Sequence, residues 1–207
     1  MGLSVAAAVL ILHGLVNASG ETLSIFNYDG RVLVIRNGRT VQVELDMPCR
    51  EKDILKVEAE SWLDITMNKL VGVRFLADSE CVIVNTNSGD MALKLNSGGA
   101  ILNLKDLSEE DAAFRLETPA ATAHANPGAQ LQFWCKIEKT ADGNSTTTFS
   151  VKKGSITVGS DESPGAVSVL EGQSITVPVG SFLPSTRNAT EEEQDAVRRA
   201  SALYIPE

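Results

Sequence analysis

The chain has 207 residues, of which 22% are charged and 43% hydrophobic, as is ordinary for one globular domain with or without tails. A chain of this length can bury a core without disulfide or metal staples. Its formal net charge of −9 disfavours nucleic acid and anionic lipid surfaces as partners, because both are themselves negatively charged.

The first predicted element is an export signal at residues 1–18. Residues 3–16 (LSVAAAVLILHGLV) are almost continuously apolar, and Val16 and Ala18 fit cleavage by signal peptidase after Ala18. A run of about 14 residues is too short to span a bilayer comfortably, which takes about 20. We therefore predict a periplasmic or extracellular protein. An uncleaved membrane anchor and a buried N-terminal strand or helix are the alternatives.

Residues 19–180 are predicted to form an all-β domain, because their apolar segments alternate with period two. Predicted strands cover residues 31–35, 40–45, 54–57, 62–67, 71–76, 81–84, 91–95, 100–104, 114–116, 130–137, 147–151, 155–158, 167–170 and 174–177. Residues 27–30, Asn37-Gly38 and Asp142-Gly143 are typical of hairpin turns. More than ten short strands with no strand-helix-strand rhythm predict an antiparallel double-sheet sandwich or a short β-solenoid-like domain.

Residues 181–207 are predicted to be a linker and a C-terminal amphipathic helix. Thr190 and Glu193 have the spacing of a capping box. The apolar residues that follow at helical spacing are Ala196, Val197, Ala200, Leu203 and Tyr204. We expect this helix to lie on the sheet or on a partner. Residues 108–111 have the same capping spacing and predict one short helical turn.

The cysteines do not indicate a metal or redox site. Cys49, Cys81 and Cys135 contain no C-x-x-C spacing. Cys81 and Cys135 fall on predicted strands, where a buried thiol is the favoured interpretation. A disulfide between one pair of the three is the alternative.

The other residues that could support catalysis are sparse. His13 lies in the predicted signal, so the mature chain holds only His124, and one histidine on a strand is usually structural. A catalytic triad would need that base, and a cupin-type metal site would need several histidines. The carboxylates near predicted strands, interpreted as solvated strand faces rather than a glycosidase pair, are Asp64, Asp78, Glu80 and Glu117. With no phosphate-binding loop present, we predict a non-enzymatic protein with no catalytic residues, cofactor or metal.

The second half of the chain carries a recognisable arrangement of motifs. FRLETP (114–119) leads into AATAHANPG (120–128), then follow TFSVKKGSITV (148–158) and VSVLEGQSITV (167–177). This arrangement resembles the FecR domain family over about residues 28–179, with Asp53 at the place of a family turn and NPGA (126–129) in place of the usual Arg-Gly-Thr. The resemblance implies an exported FecR-like β module. The positions that match the family pattern are Thr118, Pro119, Gly128, Gly154, Gly172 and Gln173.

Elementary chemistry explains these positions as fold determinants rather than an active site. Thr118-Pro119 favours an extended strand start or edge, because proline lacks a ladder donor. Gly128 is expected to turn the chain, and Gly154 and Gly172 are expected to form a tight hairpin or corner. We expect Gln173 to cap a backbone group at that corner.

The leading functional hypothesis is a binding or scaffold module in the periplasm or cell envelope, with a protein partner. Its expected working surfaces are an exposed sheet edge and the C-terminal helix. Phe133 and Trp134 are adjacent and should face opposite sides of a strand. The candidate interface residues are Trp62, Trp134, Val197, Leu203 and Tyr204.

Two alternatives come from other functional classes. One is a signal-sensing regulator of a cell-surface pathway of the sigma/anti-sigma type, which would require the N-terminal segment to stay as a membrane anchor. The other is a carbohydrate-binding or hydrolytic β-protein. Nucleic acid is not an expected partner, and the sequence leaves the oligomeric state open.

Overall fold

A computed structural model describes residues 23–67, 71–87, 90–105, 113–126 and 130–200, apart from the side chains of Val197, Arg199 and Ala200. The predicted signal at 1–18, the short helix predicted at 108–111 and the residues Gly128, Leu203 and Tyr204 lie outside the described residues. The interface prediction for the Val197 side chain does so too.

Two sheets and one helix make up the described chain. Sheet A contains, in spatial order, β1 Leu23–Asp29, β5 Trp62–Met67, β6 Val71–Phe75, β9 Gly99–Lys105, β12 Gln130–Lys139, β13 Ser145–Lys153, β16 Gln173–Pro178 and β17 Arg187–Asn188. Sheet B contains β15 Val167–Leu170, β14 Ser155–Gly159, β11 Thr122–Ala125, β10 Ala113–Glu117, β8 Asp90–Ser97, β7 Ser79–Asn85, β4 Ile54–Val57, β2 Val32–Arg36 and β3 Arg39–Val41. Helix α1 is Glu191–Ala200. The predicted all-β double sheet with a C-terminal helix is confirmed. Among the described strands, the pairs are antiparallel except for β8 with β10, which is parallel.

One apolar core fills the space between the sheets, because period-two alternation turns one face of each strand inward. Phe75, Phe133 and Phe149 are among its fully buried side chains. Trp134 instead packs on the outer face of sheet A beside Ile101. The prediction that Phe133 and Trp134 face opposite sides is therefore confirmed.

The chain repeatedly crosses from one sheet to the other at glycines. Gly154 joins β13 in sheet A to β14 in sheet B, and Gly172 joins β15 to β16, with φ angles of 79° and 77°. Positive φ costs little without a Cβ, so glycine suits both turns. Of the tight hairpin or corner that was expected at each position, the structure shows a corner between the two sheets.

The hairpin turns were predicted correctly at two places of three. Asn37 and Gly38, with φ of 51° and 74°, close the β2–β3 hairpin, and Asp142-Gly143 closes β12–β13. The hairpin predicted at residues 27–30 is wrong, since β1 runs through Asp29 and β1 and β2 belong to different sheets. Turn-forming residues mark a reversal of the chain but do not distinguish a hairpin from a corner between sheets.

Two other segments differ from the prediction. The strand expected over residues 40–45 is observed at Arg39–Val41 and is only three residues long. Asp46, with φ of 60°, lies in the turn after it, where the chain reaches the edge of β1. The predicted linker contains β17, which pairs with the start of β16.

All three cysteines are free and buried, which confirms the buried-thiol interpretation of Cys81 and Cys135. Burial raises the pKa of Cys49 to about 12. Burial likewise raises the pKa of the other two thiols, so none is poised as a nucleophile at neutral pH.

Candidate functional site

A pocket of about 530 Å³ opens where β10 and β14 end and β11 begins. Its walls are the turn between β10 and β11, residues 159–162 after β14, and Val179-Gly180 after β16. Thr118 and Pro119 lie in the first wall, so we call it the Thr–Pro pocket. Its volume falls within the range of about 300–1,000 Å³ that is typical of ligand sites.

Thr118 builds the turn that forms this wall. Its Oγ1 donates to Ala121 O at 2.7 Å, and it accepts from Ala121 N at 3.2 Å and from the buried Thr147 Oγ1 at 3.1 Å. A hydroxyl has one donor and two acceptor positions, so all three are used. Thr118 therefore holds the turn to the neighbouring sheet and has no hydrogen-bonding capacity left for a ligand.

The walls of the pocket carry more negative than positive charge. Arg115 Nη1 lies 2.6 Å from Asp90 Oδ1, and Arg115 Nε lies 3.2 Å from Glu117 Oε1, so the guanidinium is already neutralised. Asp161 and Glu162, on the opposite wall, are exposed and pair with no cation among the described residues. Two carboxylates are thus left without compensation.

Exposed apolar side chains follow one wall of the pocket. Val179, which lines the pocket, is 41% exposed, and Phe182, which follows the lining residue Gly180 by two positions, is 73% exposed. The Leu183 N–H donates to Ser163 Oγ at 2.7 Å, which ties this segment to the loop that also contains Asp161 and Glu162. An aromatic ring so exposed beside a pocket is typical of a binding surface rather than of an ordinary solvated loop.

The pocket also contains a histidine and a serine, but not in a catalytic arrangement. His124 is exposed on the outer face of sheet B, where its backbone pairs with Arg115 and Thr157. Ser160 Oγ is shielded from solvent and has no hydrogen-bond partner in the described chain, His124 included. A serine nucleophile needs a base within hydrogen-bond reach, and this pair does not provide one. Within the described ranges, no group of three or more His, Cys, Asp or Glu could hold a metal ion.

A second candidate surface is the place where helix α1 meets sheet A. Glu193 Oε2 accepts from Thr190 N at 2.7 Å and Ser174 Oγ at 2.9 Å, and Glu193 Oε1 accepts from Arg187 Nη2 at 2.6 Å. The Thr190 Oγ1 accepts from Glu193 N at 3.3 Å, which completes the predicted capping box. Burial alone would raise the pKa of Glu193, but these donors outweigh it and lower the pKa to about 2. We call this carboxylate and its donors the Glu193 clip.

Of the two tryptophans that were candidate interface residues, Trp134 is covered by helix α1 and its neighbours, and Trp62 is contacted by Arg74. Trp134 is 8% exposed and packs with Ile101, Leu76 and the helix residue Ala196. Its Nε1 is buried with no hydrogen-bond partner in the described residues. The Trp62 ring has the Arg74 guanidinium 4.3 Å from its centroid.

Arg74 is itself fixed by a carboxylate on the same face of sheet A. Its Nε and Nη2 each lie 2.7 Å from an oxygen of Asp64. Burial raises the pKa of Asp64 more than Arg74 lowers it. Asp64 is therefore part of a partly buried ion pair rather than the solvated strand face that was predicted.

The sheet edges offer little room for a partner strand. The free side of β1 is covered, because Ile25 N donates to Met47 O at 2.9 Å and Cys49 N donates to Leu23 O at 2.8 Å. Strands β3 and β17 have three and two residues. At the open edge strand β15, Leu170 N donates to Gln173 Oε1 at 3.1 Å, which confirms the predicted cap. Strand addition, one of the two expected modes of binding, is thus restricted by short or capped edges.

The structure brings together only some of the residues that the sequence singled out. Thr118 and Pro119 line the pocket, whereas Gly154, Gly172 and Gln173 lie at corners outside it. The residues that sequence reasoning missed are Asp161, Glu162, Val179 and Phe182. One signal was available, namely a phenylalanine within a stretch rich in Gly, Ser and Pro.

No protein-family model and no curated protein matches this chain. Two crystal structures from Parabacteroides distasonis ATCC 8503, each described as a "putative anti-sigma factor", share its fold. The structure at 2.50 Å aligns with a TM-score of 0.55 and 16% identity over 69% of this chain and 62% of that chain. The structure at 1.65 Å aligns with a TM-score of 0.54 and 15% identity over 72% of this chain and 65% of that chain. This chain spans less than two thirds of either neighbour, and the similarity establishes the fold alone.

Among the described residues, no helix has the length and apolar character needed to cross a membrane.

Proposed function

We propose that this chain is an exported, non-enzymatic module that binds a protein component of a cell-surface regulatory pathway of the sigma/anti-sigma type, acting as a cleaved soluble protein rather than as the membrane-anchored, signal-sensing regulator. The FecR-like motifs and the apolar N-terminal segment support export to the cell envelope. The fold shared with two structures each described as a "putative anti-sigma factor" supports the regulatory class. A role in binding rather than catalysis is supported by Ser160, the serine of the pocket, whose Oγ has no hydrogen-bond partner in the described chain and therefore no base to activate it.

The observation that carries the proposal is the exposed phenylalanine beside the Thr–Pro pocket. Phe182 and Val179 present apolar surface next to a concave wall, and large aromatic side chains dominate the binding energy of protein interfaces. When a partner removes such a surface from water, the burial contributes a favourable free energy of about 25 cal/mol per Å² of apolar area. The capped sheet edges leave this face as the better supported binding surface.

Site-specific photocrosslinking in the native host tests this proposal. A photoreactive phenylalanine analogue at position 182 should give one discrete adduct, which mass spectrometry should identify as a component of a cell-surface regulatory pathway. Leu45, 59% exposed in the loop after β3, is the matched control position and should give none. Equal adducts from both positions, or none from either, would refute the proposed binding face.

Export is tested separately by N-terminal sequencing of the protein recovered from the envelope. We expect a mature chain that begins at Ser19, and its recovery in the soluble periplasmic or extracellular fraction. An intact N-terminus in the membrane fraction would contradict cleavage and favour the alternative of an uncleaved membrane anchor. Recovery from the cytoplasm would contradict export altogether.

The carbohydrate-binding alternative is less well supported by the described surface. Sugar-binding proteins commonly stack sugar rings on open aromatic faces. Arg74 covers one face of Trp62 and Trp134 is buried, so Phe182 is the one mostly exposed aromatic side chain among the described residues. A glycan array probes this alternative directly, and we expect no saturable binding.

A further inference from the structure

We infer that the Thr–Pro pocket receives a basic side chain, lysine or arginine, from the protein partner, while an apolar residue of the same partner segment packs on Phe182. The inference rests on the proposed function and assigns the chemistry of that binding face. It concerns a pocket whose walls come from both sheets.

Charge complementarity selects a cation. Within the described chain, Asp161 and Glu162 are exposed and unpaired, whereas Arg115 is held between Asp90 and Glu117. An anionic ligand would meet an already neutralised guanidinium and two repelling carboxylates. A cationic ligand would meet two carboxylates without losing any existing ion pair.

The shape of the pocket selects a side chain rather than a bare ion. About 530 Å³ is far more than a metal ion fills, and no metal-binding group occurs among the described residues. Gly159 lies in the wall, and a Cβ built there would meet no atom within 4 Å, so the space above it is open. Pro119 is an exposed apolar element of the opposite wall, which suits the methylene stem of lysine or arginine.

The apolar residues then determine which kind of cation binds. Phe182 and Val179 are exposed beside the acidic wall, so a segment that carries a basic and an apolar side chain can use both features at once. An isolated amine can use only the carboxylates. This predicts a preference for a mixed basic and apolar peptide segment over a polyamine of higher charge.

Titration of matched peptides against the ¹⁵N-labelled protein, followed by NMR, tests the inference. The probe is an acetylated and amidated pentapeptide, Val-Leu-Arg-Leu-Val, and its control replaces arginine with uncharged citrulline. We expect saturable shifts in the amides of residues 115–124, 159–162 and 179–183, with the arginine peptide binding more tightly. Spermidine is a second control and should bind more weakly than the arginine peptide.

Three variants locate the effect. Asp161→Asn with Glu162→Gln should weaken binding of the arginine peptide by about two- to fivefold for each carboxylate and leave the citrulline peptide unaffected. Glu44→Gln with Glu51→Gln makes the same change in net charge at two exposed positions that do not line the pocket, and this variant should change the affinity for neither peptide. Gly159→Trp fills the pocket from a position with room for a side chain and should abolish the shifts.

Several results would overturn the inference. These are equal binding of the two peptides, shifts that lie outside the pocket, equal weakening in both charge variants, or no binding at millimolar peptide. Failure here is distinguishable from failure of the proposed function. If the crosslink from position 182 forms in the wild type and persists in the Asp161→Asn/Glu162→Gln variant, the face binds a protein but without the proposed cation.

Discussion

Replacing Glu193 with alanine removes the carboxylate that ties helix α1 to sheet A. Thr190 N and Ser174 Oγ lose an acceptor, although Ser174 keeps its 2.8 Å hydrogen bond to Ser150. Arg187 is 45% exposed and can return to water, so its ion pair counts for at most about 1 kcal/mol. With about 1 kcal/mol more for the helix cap, we expect helix docking to weaken by about 2 kcal/mol.

Native-state hydrogen exchange measures this loss directly. A change of about 2 kcal/mol corresponds to roughly 25-fold more frequent opening of the helix, seen in the exchange rates of the α1 amides. The fluorescence of Trp134, which lies under the helix, should shift to the red in a Trp62→Phe background. Glu192→Ala, one residue earlier on the exposed side of the same helix, should change exchange by less than about twofold.

The sign of the pH dependence follows from the lowered pKa of Glu193, which is about 2. A carboxylate with a depressed pKa contributes stability that is complete above its unfolded pKa of about 4.3 and is lost as the pH falls through the folded value. The difference between wild type and Glu193→Ala should therefore shrink from pH 5 to pH 2. Equal exchange rates of the α1 amides in Glu193→Ala and Glu192→Ala at neutral pH would show that the Glu193 clip does not hold the helix on sheet A.

Further predictions concern the turn, the corners and the thiols. Thr118→Val leaves the buried Thr147 hydroxyl without its acceptor and should lower the free energy of unfolding by about 1–3 kcal/mol in urea denaturation. Gly154→Ala should destabilise more than Gly172→Ala in the same assay, because both have positive φ but only at Gly154 would a Cβ meet a backbone oxygen at 2.7 Å. Ellman's reagent should modify the three buried thiols only on unfolding, and rapid modification of the native protein would contradict their burial.

Local patterns were enough to predict most of the fold. Period-two alternation placed β4 and β5 at their observed bounds, because each strand buries one face against the same core. The capping box from Thr190 to Glu193 forms as expected, since all its partners lie within one helical turn. Both features depend only on residues close together in the sequence.

The candidate site is formed by segments that are distant in the sequence, so it could not be predicted from local patterns. Val179 and Asp161 line the same pocket only because β16 and β14 lie in facing sheets. A phenylalanine in a stretch rich in Gly, Ser and Pro indicates that Phe182 is exposed, but nothing near it in the sequence indicates that its neighbour Leu183 is tied to Ser163 and that the stretch therefore lies beside a pocket. The corner at Gly30 was missed for the same reason. The observed partner of β1 is β5, which lies more than thirty residues later in the chain, and not the adjacent β2.

The most direct test of the protein-binding face is a hydrogen–deuterium exchange footprint taken with the partner that the position-182 crosslink identifies. The account predicts that the partner slows exchange in residues 115–124, 159–162 and 179–183, and leaves β2 to β4 unchanged. Protection confined to α1 or to the β1–β4 end of the sheets, with the Thr–Pro pocket still exchanging freely, would contradict it.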